Sequence, residues 1–474
     1  MKAGEIQQLL PGSNPWWSDD QWATKDLHLK TAGAAPFHYE PTVLADAVAP
    51  NLYTLRGPRR VGKTTLLKQF VRRAITFGIA PRQICYFGVD LLNRHQLLQL
   101  VGKMHRMFPD LADRPVYFLL DEISMVKEWW IAIKWLRDQD RRAQEDCFIL
   151  TGSSARDIRE GLPFLAGREG ERAGYDRTLL PMAFPEYARA LQITVPGDGS
   201  LSLADFFTPG GEAALLTLQL HTDELVAAFD RYLVSGGFPR ALVDHLATGS
   251  VSAKFLQDLW KVVLGDLQTL KLTQTKVAIE LTRTVVAGMA SPTNFQTLAT
   301  NSNTNGATAK GYVEALNDAY LLLTIYQRAS HGGSKLQAGP KIYVADPLLA
   351  QLPAAVLGTK AVPDITNLAE AAVAIAIFRA HESDLQTSFG SGSTVYYYVT
   401  QRGNEIDFIV PTDDTLTNSH PVEVKYVDDV SGQDTLPITN AFHRGLLLTH
   451  GVLNLAGEIK HVPAAFFAYL LHQR

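Results

Sequence analysis

The sequence predicts an α/β protein in three parts: a parallel-sheet domain, a mostly helical middle, and a second α/β region at the end. Three observations carry this. Over about 46–190, the short apolar runs "NLYTL", "QICYFGV", "VYFLLDE" and "CFILTGS" alternate with helical periodicity beginning at Lys63, Leu91 and Lys127. Continuous apolar runs of that length suit strands covered by helices on both faces. From about 191 to 338 the periodicity is helical, broken by "SGGFP" and "ATNSNTNGATA", and from 339 strands return as "KIYVAD", "TVYYYVT", "NEIDFIV", "HPVEVKYV" and "RGLLLTH" around a helix at "NLAEAAVAIAIFRAH".

Length and composition set the bounds. A chain of 474 residues is expected to hold about three domains. Hydrophobic residues at 46% and charged residues at 19% describe a globular chain and exclude a disordered or fibrous one. The net charge of −4 gives no global basic field, so any DNA contact has to come from local basic patches. The two cysteines, Cys85 and Cys147, lie in apolar runs and read as small core residues in a reducing compartment. Residues 1–45 form a polar arm carrying Trp16, Trp17 and Trp22, expected to dock on the body. No segment reads as a secretory signal or a membrane span, so the expected location is cytoplasmic, with no membrane partner.

The first motif follows the first strand. "GPRRVGKT" fits G-x-x-x-x-G-K-[ST], with the loop running through Gly57, Pro58, Arg59, Arg60, Val61, Gly62, Lys63, Thr64 and Thr65. Glycines let backbone N–H groups wrap a β-phosphate, and the helix opening at Lys63 adds its positive end. Lys63 brings a point charge to the β and γ phosphates, and the Thr64 hydroxyl is a ligand for Mg²⁺. The apolar strand "VYFLLDE" ends in Asp121, expected to hold the Mg²⁺ shell, and Glu122, expected to polarise an attacking water. The next strand ends in hydroxyls, and Thr151, Ser153 or Ser154 is expected to sense the γ-phosphate. Arg156, Arg168 and Arg172 follow as candidates to stabilise transition-state charge, from this chain or a neighbouring copy.

"GPRRVGKTTLL", "LLDEIS", "LTGSSA", "LAGREGER", "LLPMAFPEYARA" and "YLVSGGFPRAL" together resemble a prokaryotic family of AAA-type P-loop ATPases. Its members carry a winged-helix module and a C-terminal domain similar to the PD-(D/E)xK nuclease fold, which is a restriction-endonuclease-like α/β fold. The resemblance spans nearly the whole chain, is strongest over the ATPase core, and includes the arm motif "NPWW". It implies binding and hydrolysis of ATP and admits a homo-oligomer, a ring hexamer among the options.

The middle region reads in the order apolar helix, polar turn, second helix from about Ala307 to Tyr320, then a strand, which resembles a winged helix. Thr304, Asn305, Thr308 and Lys310 are expected to face bases or phosphates, and "YQRASHGGSK" reads as a wing with Arg328 and Lys335 on phosphates. At the C-terminus, Asp407 stands on one strand, and Glu423 and Lys425 share a face of another. Converging carboxylates of this kind hold a divalent metal, and a neighbouring lysine orients water or neutralises a phosphate. With Glu370 upstream, Glu370, Asp407, Glu423 and Lys425 match the nuclease motif residue by residue, and Asp407 and Glu423 are the expected metal ligands. The thirteen histidines show no zinc spacing. Trp129, Trp130 and Trp135 show the spacing of a helix packed on the sheet.

The expected domains are therefore 1–45 (arm), 46–190 (ATPase), 191–338 (helical lid and winged helix) and 339–474 (nuclease-like). The expected activity is Mg²⁺-dependent ATP hydrolysis coupled to binding, remodelling or translocation of duplex or branched DNA. Two other readings stand beside it: a slow nucleotide-operated signalling or defence switch, and an ATP-gated metal nuclease.

Overall fold

The computed structural model describes residues 3–152, 161–168, 170, 176–197, 199–329, 332–359, 364–381, 394–412, 416 and 418–472. The chain divides into two compact units, Met1–Leu180 and Pro181–Arg474.

The first unit opens with helix α1 (Ala3–Ser13), whose Ile6 and Leu10 are fully buried in the same core as the sheet. Strand β1 (Leu52–Arg56) leads through the phosphate-type loop into α2 (Lys63–Thr76). The buried residues Leu66, Leu67, Phe70, Val71 and Ala74 of α2 recur every three to four positions and turn one stripe toward the sheet. Then come β2 (Ile84–Gly88), α3 (Arg94–Met107), β3 (Tyr117–Asp121), α4 (Trp129–Gln139), β4 (Cys147–Thr151) and β5 (Asp176–Thr178). The sheet is parallel throughout, in the order β2-β3-β4-β1-β5. Every residue of β1, β3 and β4 is buried, as the apolar runs require. Phe118 and Phe148 stack across β3 and β4 at 5.1 Å, and both cysteines are free and buried.

Strand β5 carries no apolar run and is invisible to hydrophobic periodicity. It is held by charge instead. Asp176 accepts from Arg56 Nε at 2.9 Å, from Arg56 Nη2 at 2.5 Å and from Thr54 Oγ1 at 2.5 Å, with the pair shut away from solvent. A bidentate fork of this type fixes register as well as contributing energy.

The N-terminal arm covers the free edge of β2. The Asn14 side chain accepts from Tyr86 N at 2.6 Å and donates to Tyr86 O at 3.0 Å. The indoles of Trp16 and Trp17 both donate to Ile84 O, at 3.1 and 2.8 Å. Alternate residues of a strand turn their peptide groups to the same side, so one amide and two indoles do the work of an added strand.

The second unit contains α5 (Thr222–Ser235), α6 (Thr275–Ala287), α7 (Phe295–Asn301), α8 (Gly306–Asp318), β6 (Leu322–Gln327), β7 (Lys341–Val344), α9 (Ile365–His381), β8 (Tyr396–Val399), β9 (Glu405–Pro411), β10 (Ser419–Val424), β11 (Gly445–Thr449), β12 (Ile459–Pro463) and α10 (Ala464–Leu470). One mixed sheet runs β12-β11-β10-β9-β8-β6-β7. β6 pairs antiparallel with β7 and parallel with β8, so the boundary expected at 338/339 falls inside a hairpin of this sheet. Helix α9 is buried from Leu368 through Phe378 on all sides, which fits its alanine-rich, apolar composition.

Candidate functional site

The loop after β1 is shaped by backbone that side chains resist. Gly57 has φ 149°, and a Cβ there would lie 2.0 Å from Leu179 O, so only glycine lets the two chains approach. Arg60 is left-handed at φ 64°, and Gly62 caps α2 at φ 108°. The turn delivers Lys63, 6% exposed, into the loop, where its ammonium donates to Gly57 O at 2.9 Å and Pro58 O at 3.0 Å. Thr64 and Thr65 follow on the first turn of α2.

Asp121 is the hub of the site. Its Oδ2 accepts from Thr64 Oγ1 at 2.8 Å and from Tyr86 OH at 3.0 Å, and its Oδ1 accepts from Thr151 Oγ1. Strands β2, β3 and β4 and the first turn of α2 thus converge on one carboxylate. Thr64 and Asp121 offer one hydroxyl and one carboxylate, donors of the kind Mg²⁺ takes beside phosphates. Behind the hub, the Lys68 ammonium sits 3.5 Å over the Tyr86 ring and 4.8 Å over that of Trp16. Burial lowers Lys68 to about 8, and burial together with Asp121 pushes the Tyr86 phenol well up, so Tyr86 remains a donor.

Glu122 adopts φ 60°, which turns it out of the strand line. Its backbone N–H is held by Thr151 Oγ1 at 3.1 Å, and its carboxylate lies 3.7 Å from Arg59 of the loop. Thr151 is fully buried and bonded to both acidic residues. It therefore pins Asp121 and Glu122 to the end of β4. Ser153, Ser154, Arg156 and Arg172 lie outside the described residues. Arg168 donates to Asp138 from Nε at 2.6 Å and from Nη2 at 3.1 Å, a fork closed on its own unit at the end of α4.

In the second unit, the four nuclease-like residues do come together. Asp407 Oδ2 accepts from Val424 N at 2.9 Å, Glu423 accepts from Asp407 N at 3.3 Å, and Lys425 pairs with Glu423 at 3.2 Å. Glu370 reaches the same cluster from α9. At its centre, however, lies Lys341, fully buried, whose ammonium is 2.7 Å from Glu405, 2.9 Å from Asp407 and 3.1 Å from Glu370. Tyr343 donates to Glu370 at 2.6 Å. Burial works against the Lys341 charge, but Tyr343, Asp407, Glu370 and Glu405 outweigh it and hold the group above its ordinary value. Burial, reinforced by Asp407, pushes Glu370 and Glu423 up to about 8. Among the described residues no three His, Cys, Asp or Glu side chains are arranged to hold a metal ion. The expected metal role of Asp407 and Glu423 thus does not fit this donor set, because Asp407 and Glu370 already bond an ammonium. Lys341 and Glu405 carried a signal in the sequence: Lys341 shares a strand face with Tyr343, and Glu405 with Asp407.

Of the DNA-contact candidates, Arg328 is 5% exposed and packs over Tyr396 at 4.9 Å, so its guanidinium is not offered to an external phosphate. Lys310 is exposed on α8 and lies 3.7 Å from Glu314 one turn on. The Thr308 backbone N–H is capped by the Asn305 side chain at 2.9 Å, and Lys335 is exposed.

A phosphate-type loop opening a helix, with an acidic strand end two strands away in a parallel sheet, is the arrangement of a P-loop nucleotide-binding domain. Residues 49–188 match the family described as AAA domain, and residues 226–361 match a domain of unknown function (DUF8612). An uncharacterized protein of Haemophilus influenzae (strain Rd) is 23% identical over 305 residues, 62% of this chain and 66% of that relative, just under two thirds of its length. Two solved structures are also similar. The Walker-type ATPase PABY2304 of Pyrococcus abyssi is 14% identical at TM-score 0.37, over 71% of this chain and 95% of that one. The Aeropyrum pernix ORC2 protein is 14% identical at TM-score 0.35, over 67% and 89%. Among the described residues, no helix is long and apolar enough to cross a membrane.

Proposed function

We propose that this protein hydrolyses ATP with Mg²⁺ and couples turnover to remodelling or translocation of duplex or branched DNA, working as a homo-oligomer. The observation that carries the hydrolytic reading is the single network Thr64–Asp121–Thr151–Glu122, which joins the phosphate loop to the water-activating carboxylate through hydrogen bonds. Lys63 leaves the loop carbonyls for the β and γ phosphates, while the loop amides and the α2 N-terminus bind their oxygens. Thr64 and Asp121 would hold Mg²⁺, which supplies charge neutralisation between those phosphates. Glu122, released from Arg59 by the incoming γ-phosphate, orients water in line with it and accepts its proton.

The DNA reading rests on the helix pair α7 and α8 followed by the β6–β7 hairpin, an order in which α8 can enter a groove. A second reading, a slow nucleotide-operated switch, is favoured by the burial of Arg328 and by the Lys310–Glu314 pair, which leave a weakly basic face. Steady-state ATP hydrolysis of the wild type and Glu122→Gln, alone and with duplex or branched DNA, separates them. Strong stimulation that Glu122→Gln abolishes supports the DNA-coupled enzyme. Slow turnover indifferent to DNA supports the switch, and hydrolysis unaffected by Glu122→Gln removes both.

A further inference from the structure

The C-terminal carboxylate cluster has a cation of its own. An ammonium has three N–H donors and no acceptor. Lys341 meets three carboxylate oxygens, from Glu405, Asp407 and Glu370, at 2.7, 2.9 and 3.1 Å, so its donor capacity is filled. These are hydrogen-bond lengths, longer than the roughly 2.0–2.6 Å over which Mg²⁺ or Ca²⁺ draws in the same oxygens. Asp407 Oδ2 is also engaged, on Val424 N, and the Glu423 carboxylate is engaged on Lys425 and Asp407 N.

The lysine cannot easily step aside. It is fully buried, it stands on the regular strand β7, and its neighbour on the same face, Tyr343, bonds Glu370 as well. Moving the ammonium out would leave several desolvated carboxylates without a partner, the arrangement buried charges tolerate least. Bringing a divalent ion in without moving it would set like charges side by side. Either way the cluster as built selects a fixed ammonium over a mobile metal.

We propose that the Lys341 ammonium is the resident cation of this cluster and takes the place of the divalent metal that Glu370, Asp407, Glu423 and Lys425 would otherwise hold. The C-terminal region then keeps the carboxylates as an internal strut tying β7, α9 and β9 together, and it does not cut nucleic acid. This assignment is independent of the ATP site.

The test counts Mn²⁺ bound to the intact protein without nucleotide, by the electron paramagnetic resonance signal of the free ion. Wild type, Asp407→Asn and Glu423→Gln are compared, so that weak binding at the phosphate loop cancels. Equal counts in all three, with no nicking of supercoiled plasmid in Mn²⁺ and ATP, are expected. One additional ion per wild-type chain that either variant loses, or plasmid cutting that Asp407→Asn abolishes, would overturn the proposal. Lys341→Met supplies the converse. Once the ammonium is removed, the carboxylates should gain a Mn²⁺ site and a melting temperature that rises with added Mn²⁺, a dependence the wild type lacks. A folded Lys341→Met with the wild-type Mn²⁺ count would overturn the claim that the ammonium stands in for a metal. Should this variant not fold, the comparison of wild type with the two carboxylate variants decides alone.

Discussion

Thr151→Val keeps the shape of a fully buried side chain and removes one oxygen that serves two acidic residues. The lost O–H···O⁻ bond to Asp121 is of the charge-assisted kind, about 1.5–3 kcal/mol, and the lost acceptor for Glu122 N is of the ordinary kind, about 1 kcal/mol. Allowing for partial relaxation, the variant should be destabilised by about 2–4 kcal/mol. For a unit the size of Met1–Leu180, that lowers the melting temperature by roughly 5–15 °C. Turnover should suffer separately, because the hydroxyl fixes the backbone of Glu122 and one oxygen of Asp121. A loss of about tenfold to a hundredfold in kcat corresponds to about 1.4–2.7 kcal/mol of misplaced transition-state stabilisation. KM for ATP should move little, since Thr151 is too buried to meet a nucleotide. Thermal melting and steady-state hydrolysis of wild type, Thr151→Val and Thr151→Ser read both effects. Thr151→Ser, which retains the hydroxyl, should recover most of each. A Thr151→Val protein that melts and turns over like the wild type would refute the hub as described, and a raised KM with intact kcat would return Thr151 to a nucleotide-contacting role.

Two further outcomes follow from buried and half-buried charge. Arg56→Met leaves Asp176 desolvated without its fork and should cost about 3–5 kcal/mol in urea unfolding, whereas Arg56→Met with Asp176→Leu should recover most of that. Equal losses in the single and double variants would show that the pair is not the source. His450 lies between Asp428 at 3.0 Å and Asp230 at 3.3 Å; burial opposes its charge, but the two hydrogen bonds outweigh it and raise its value above 6.5. Its contribution is therefore complete below about pH 6.5 and is lost as pH rises through the raised folded value. The stability gap between wild type and His450→Gln should be widest in acid and close toward alkaline pH, and a gap that widens with pH would contradict the assignment.

The nucleotide domain was legible because its strands are apolar end to end and its loop needs glycine at fixed offsets. Gly57, Gly62, Lys63, Thr64, Asp121 and Glu122 announce themselves by type and spacing. Strand β5 did not, since "DRT" has no apolar period and is placed by a salt bridge to Arg56, a contact 120 residues away in sequence. Tyr86 and Lys68 were equally hidden: a tyrosine in an apolar strand reads as core until its hydroxyl is found on Asp121. At the C-terminus the strands and the shared face of Glu423 and Lys425 could be read from period-two spacing, while Glu370, on a helix, joined Asp407, Glu423 and Lys425 only through the resemblance to the nuclease motif. The chemistry could not, because nothing in the spacing of "KIYVAD" shows that the Lys341 ammonium reaches the Asp407 carboxylate, a contact 66 residues away in sequence.

The edge of the first sheet has a consequence for how the chain can be shortened. Strand β2 ends the sheet with a row of peptide groups facing outward, and what faces them is Asn14, Trp16 and Trp17. A chain trimmed to begin at β1 would keep every motif residue yet expose an unpaired strand and the apolar socket left by Ile6, Leu10 and Trp16. Such an edge recruits strands from other molecules, so the shortened parallel-sheet domain should self-associate through β2. The tryptophan arm is in this sense a built-in plug, keeping the sheet finite as well as folded.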